Sequence, residues 1–164
     1  MKRADATPRP SRMASDARIA EVEAAFAGNY IAYQYHAVEF LVGHLADLSK
    51  QFRGDLQEML VLAIIGQMEL HRRLTHPEPE AADRPAIGAS RIADVTGIPR
   101  QTVRRKLASL AERGWVETDG AASWRLRIVE SSAPARHDLS EVDRRKMRRL
   151  AELYANLEAV ALKS

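Results

Sequence analysis

Cysteine is absent from the 164 residues. That excludes disulfides and thiolate metal sites, and it suits a reducing, cytoplasmic setting. Aromatic residues make up only 5%, so a core must be built mainly from aliphatic side chains. The longest apolar run, Met59 to Ile65, is far too short to span a bilayer, so no membrane partner is expected. The opening MKRADATPRPSR is basic, but no apolar stretch follows it as a secretory signal requires. A phosphate-cradling glycine loop, a nucleophile elbow and a zinc-protease motif are all missing, so neither an enzyme nor a cofactor is expected. The histidines (His36, His44, His71, His76 and His137) form no i, i+4 pair, which gives no ground for a metal site.

What the chain does have is segregated charge. Its net charge is only +3. Residues 1–18 carry +3, 19–52 carry −3, 53–83 carry −3, 84–113 carry +5, 114–130 carry −1 and 131–164 carry +2. A local basic patch on a near-neutral body is the footprint expected of nucleic-acid binding.

The basic segment contains the stretch GIPRQTVRRKLASLAERGWVE, Gly97 to Glu117. Pro99 suits a helix start, where its missing N–H loses nothing. Val103, Leu107 and Leu110 recur at helical spacing and mark a buried stripe, and Gly114 is placed to stop the helix. The opposite arc holds Gln101, Arg105 and Ala108, flanked by Arg100, Thr102 and Arg104. A helix with an apolar back and a basic front fits the major groove, where Arg and Gln can bond base edges. The preceding residues support it: Ser90 is expected to cap a short helix over 91–96, with Gly97 making the turn. After Gly114, residues 115–117 and 124–128 alternate around Asp119-Gly120, which predicts a hairpin. Arg125 and Arg127 then share its outer face. Helix, turn, helix and hairpin together make a winged helix.

Helices are expected on both sides of this lobe. Residues 1–14 read as a disordered basic arm, and Ser15 as the cap of a helix ending at Gly28. A second helix over 29–52 carries a near-heptad apolar pattern. Asp55 and Glu58 predict a capping box for a third helix, apolar on nearly every side and therefore buried. His76 to Ala86, with three prolines, reads as a loop, and Ile87 to Ala89 as a short strand. Asp138 and Glu141 predict a second capping box, opening a long helix with Leu150, Leu153, Leu157 and Val160 as a coiled-coil-like seam. The expected fold is therefore mainly α. Residues 15–54 form N-terminal dimerisation helices, 55–130 a winged helix-turn-helix with a two-stranded wing, and 131–164 a C-terminal dimerisation helix.

From Ser90 to Glu117 the sequence resembles the winged-helix bacterial transcription regulators, including the MarR, GntR and IclR types. The order of helices, winged helix and terminal helix is similar to the MarR architecture. The resemblance implies a homodimeric, sequence-specific DNA-binding transcription regulator on a near-palindromic operator, with its terminal helices paired across a two-fold. The candidate DNA-binding residues are Arg100, Gln101, Thr102, Arg104 and Arg105, with Arg125 and Arg127 on the wing. Tyr30, Tyr33, His36 and Phe40 form an aromatic cluster that is a candidate pocket for a small-molecule effector, or else packing between subunits. Two other readings stay open here: a winged helix used for protein interaction, and a nucleic-acid-binding protein without sequence preference.

Overall fold

The structure, a computed structural model, describes residues 10–76, 84–120 and 122–162, with side chains from Asp16 onward. The elements are α1 (Pro10–Gly28), α2 (Tyr30–Gln51), α3 (Leu56–Thr75), β1 (Ile87–Gly88), α4 (Ala89–Thr96), α5 (Arg100–Glu112), β2 (Val116–Thr118), β3 (Ser123–Leu126), α6 (Pro134–Asp138) and α7 (Ser140–Ala161). The fold is mainly helical with one small antiparallel sheet in the order β1-β3-β2. Two compact units divide it: one draws on Met1–His44 and Arg145–Ser164, the other is Leu45–Arg144.

The second unit is the winged helix. The β2–β3 hairpin pairs Val116 with Leu126, Glu117 with Arg125 and Thr118 with Trp124, and β1 adds a third strand through Ile87 and Trp124. Behind it lies a continuous core of Phe52, Val61, Ile65, Ile92, Val103, Leu107, Leu110 and Trp115. Two aromatics are buried in it, Phe52 and Trp115. The Trp115 ring meets Phe52 edge-on at 5.8 Å, and its indole N–H donates to Asp138 Oδ2 at 2.8 Å. This bond, then the neighbouring His137, hold the Asp138 carboxyl below the usual range.

Several local expectations are corrected. The first helix opens at Pro10 rather than Ser15, because proline is tolerated in a first helical turn. Only residues 1–9 of the expected arm are therefore left, and they lie outside the described residues. The helix over 89–96 has Gly88, not Ser90, at its N-cap, and no side chain caps it. Only half of the first capping box forms: the Glu58 N–H donates to Asp55 Oδ1 at 2.9 Å. The Glu58 carboxylate is instead buried and turned to α5. The second box does not form, because Asp138 ends α6 and is engaged by Trp115.

The third helix also departs from expectation. It buries Val61, Leu62 and Ile65 on one face, while Leu60, Leu70 and Leu74 remain exposed on the other. Near its C-terminus, Glu69 is buried and ion-paired within the helix. Arg72 donates to it twice, at 2.6 and 3.0 Å, and Arg73 Nε once at 2.7 Å. Arginines in the last turn also complement the helix dipole.

In the first unit, Ala25 and Val160 are buried, and Phe26 stacks on Tyr33 with ring centres 4.9 Å apart. Arg149 packs so closely on Gly43 that a Cβ there would stand 2.8 Å from its Nε. Along α7, Leu153 and Leu157 are half-buried, whereas Met147, Leu150 and Tyr154 are exposed. The longer uncovered apolar face belongs to α2: Ile31, Tyr35, Val38, Val42 and Leu45 follow at steps of four and three residues and are all exposed.

The Glu69 cluster yields a pH prediction. Hydrogen bonds from Arg72 foremost, and then Arg73, lower the Glu69 pKa to about 2 from 4.5. A carboxyl depressed on folding stabilises the fold above its unfolded pKa, and this contribution fades as pH falls through the folded one. Glu69→Gln should therefore lower the melting temperature most above about pH 5. The difference from wild type should shrink as pH falls from 4.5 towards 2. Parallel thermal melts across that range are the check.

Candidate nucleic-acid interface

The basic helix is set in place from behind. Gly97 closes α4 in the left-handed region at φ +70°, its N–H donating to Ala93 O at 2.8 Å. The Thr96 hydroxyl braces this turn by donating to Ile92 O at 2.7 Å. α5 then starts with Pro99 at its N-cap rather than inside its first turn, and no side chain caps it. The first free N–H groups of α5 therefore point outward beside Arg100, Gln101 and Thr102 and are available to an anion. At the other end Gly114 N–H donates to Ala111 O, and Trp115 N–H to Leu110 O. That paired closure, with Gly114 at φ +70°, fixes both the length of α5 and the start of β2.

Val103, Leu107 and Leu110 are fully buried, as their spacing implies. Arg100, Gln101, Arg104 and Arg105 are exposed, and Thr102 is half-buried at the edge of the same face. The basic residues of this helix divide sharply by partner. Lys106 is ion-paired with Asp55. Arg113 lies 3.3 Å from the Glu58 carboxylate, a charge contact without hydrogen-bond alignment, and covers the Trp115 ring at 4.7 Å. Ser109 adds a hydroxyl donor to Glu58 at 3.2 Å. These contacts fasten α5 to α3. Partial burial pushes the Asp55 carboxyl up, but bonds from Lys106 and the Glu58 N–H outweigh it and hold the pKa below normal. Arg100, Arg104 and Arg105 are exposed and none makes an ion pair within 4 Å among the described residues, although Arg105 is near enough to Asp55 to help hold its carboxylate charged.

The wing does not treat its two arginines alike. Arg125 is half-buried, and its Nε donates to Glu117 Oε1 at 2.9 Å. Arg84, just before β1, reaches the same carboxylate at 3.3 Å and also donates to Leu126 O. Arg127 is exposed, with its guanidinium 3.2 Å from where a Cβ on Gly114 would stand. Sequence alternation placed Arg125 and Arg127 on one face but could not reveal that one of them is neutralised. Reading along the sequence also missed Arg91, exposed in the first turn of α4. The charge excess of residues 84–113 was the signal that could have found it.

The aromatic cluster lies in the other unit, on α2. Tyr30 is exposed and 6.3 Å from Tyr33, while His36 and Phe40 follow half-buried on later turns. The Phe26 ring fills the space against Tyr33. A cavity of about 460 Å³ in this unit is lined instead by Arg18, Glu21, Val22, Ala25, Asn29 and Ala161, among others.

No helix among the described residues is long and apolar enough to cross a membrane. Neither a curated protein nor a solved structure matches the chain. Residues 80–120 match the IclR helix-turn-helix domain. The matched stretch takes in α4, α5, β2 and the turn that sets α5 outward, and it supports a DNA-binding helix-turn-helix transcription regulator.

Proposed function

We propose that this protein is a sequence-specific transcription regulator that binds DNA as a homodimer, with α5 as the recognition helix. The observation that carries the reading is the contrast along α5. Lys106 and Arg113 are consumed by Asp55 and Glu58, whereas Arg100, Arg104 and Arg105 project with Gln101 from an uncapped helix start. Arg and Gln are the side chains that bond guanine and adenine bidentately in the major groove. Thr102 and the free N–H groups suit a phosphate, which fixes register. Arg127 is the wing residue best placed to add a phosphate contact, because Arg125 is held by Glu117.

Homodimer formation is supported by the uncovered face of α2. With Leu41, its exposed apolar side chains present several hundred Å², against the roughly 800 Å² per partner of a stable interface. Heptad-like steps suit a second helix of the same kind, and a two-fold axis across α2 makes the contact self-complementary. The sequence reading gave dimerisation to both the N-terminal helices and α7, and the exposed face of α2 favours the former. Winged helix between outer helices is the MarR-like order, with a helix-turn-helix of IclR type inside it. A two-fold dimer implies a near-palindromic operator with half-sites about one helical turn apart. In this reading Tyr30, Tyr33, His36 and Phe40 remain the place for an aromatic effector, beside the pairing face.

Fluorescence anisotropy with labelled duplex DNA tests the reading. Wild-type affinity should fall steeply with salt, and Arg104→Ala should flatten the log–log slope by about one if Arg104 meets a phosphate. If it meets a base, the loss should be about 1–3 kcal/mol on the preferred sequence and little elsewhere. Equal affinity for all duplexes would favour a non-specific binder, and no binding at low salt a protein-interaction module. Val38→Glu should convert the dimer to monomer in sedimentation while leaving the helical signal in circular dichroism. A dimer that survives the substitution would remove α2 from the interface.

A further inference from the structure

Glu117 occupies an unexpected place for a protein that meets a polyanion. It stands on the outer face of the wing, directly opposite Arg125 across the β2–β3 ladder. Its Oε1 accepts from Arg125 Nε at 2.9 Å and from Arg84 Nη1 at 3.3 Å. Arg84 is tied down a second time through the carbonyl of Leu126. The side chains of Arg84, Glu117 and Arg125 are 17%, 32% and 31% exposed. One carboxylate thus holds two guanidiniums that would otherwise face outward with Arg127, in a lobe that already carries exposed Arg91, Arg100, Arg104 and Arg105.

We propose that Glu117 is a specificity-determining residue that withholds Arg84 and Arg125 from DNA phosphates and so leaves discrimination to α5. The inference rests on the DNA-binding reading above. Phosphate contacts raise affinity for every sequence alike, whereas base contacts separate one sequence from another. Two further free arginines on the wing would strengthen binding to all duplexes and lower the ratio of specific to non-specific affinity, which is what matters among many competing sites. Glu117 opposes this in two ways. It occupies both guanidiniums in the free protein, and its own charge repels a phosphate that approaches them. Because the cluster is partly exposed, a phosphate can compete with it, so the effect is a graded penalty rather than a block.

The test uses the full chain, a short labelled duplex of arbitrary sequence, and anisotropy over a range of salt. Glu117→Gln keeps the shape and removes the charge. It should bind the arbitrary duplex several-fold more tightly than wild type at low salt. Its salt slope should steepen by about one for each arginine released. Arg125→Ala alone should leave the affinity near wild type, and in the Glu117→Gln background it should remove part of the gain. Glu117→Gln binding no more tightly than wild type overturns the proposal and makes Glu117 only a strut of the hairpin. So does a loss from Arg125→Ala in the wild-type background as large as that from Arg104→Ala. If circular dichroism shows Glu117→Gln unfolded, the Arg125→Ala arm decides alone by the same criterion. Absence of DNA binding by wild type and every variant would overturn the regulator reading itself, which separates the two failures.

Discussion

Everything proposed for this protein depends on how α5 is fastened to α3. The apolar half of that contact is Val103, Leu107 and Leu110, fully buried against a core that includes Val61 and Ile65. Removing such side chains from water supplies most of the attraction but little direction. Direction comes from the polar half, in which Asp55 holds Lys106, and Glu58 receives Ser109 and Arg113. These polar and charge contacts oppose rotation of α5 about its axis, and a rotation is what would move Arg100, Gln101, Arg104 and Arg105 off the outward face. Glu58 is buried, and a buried carboxylate is tolerated only beside its partners, so the register between the helices is enforced.

The same division of labour explains which charges are free. A segment with five net positive charges could present them anywhere. Acidic residues from elsewhere in the chain absorb Lys106 and Arg113 at the back of the helix, and Glu117 absorbs Arg84 and Arg125 on the wing. What remains exposed is Arg100, Arg104 and Arg105 on the first half of α5, with Arg91 on α4 and Arg127 by Gly114 at the far end of α5. Acidic residues in this lobe thus shape the basic surface by subtraction.

How much of this was legible in the sequence follows from the range of each interaction. The buried stripe of α5, the Gly97 turn and the Gly114 stop are local, and each depends on residues within a turn or two. The hairpin is equally local and formed, although its second strand stops at Leu126 instead of reaching Ile128 and all four of its residues are half-buried. Helix starts were missed by a few residues, at Pro10 and Gly88, and the larger failures depended on partners far along the chain. Asp55 and Glu58 have capping-box spacing, but Glu58 finds Ser109 and Arg113 on α5, and Asp138 finds Trp115. Arg125 and Arg127 look equivalent until Arg84 and Glu117 are brought beside one of them. The apolar pattern of α2 was visible, but that it remains exposed in the folded chain was not. Periodicity shows that a face wants cover without saying what covers it.

The central claim is that two copies of α5, presented by this clamp, read a DNA sequence. Selection of binding sites from a pool of random duplexes by the purified full-length protein tests it most directly. The account predicts enrichment of a near-palindrome whose half-sites lie about one helical turn apart. A pool that shows no enrichment, or that converges on a single unrepeated half-site, would contradict it.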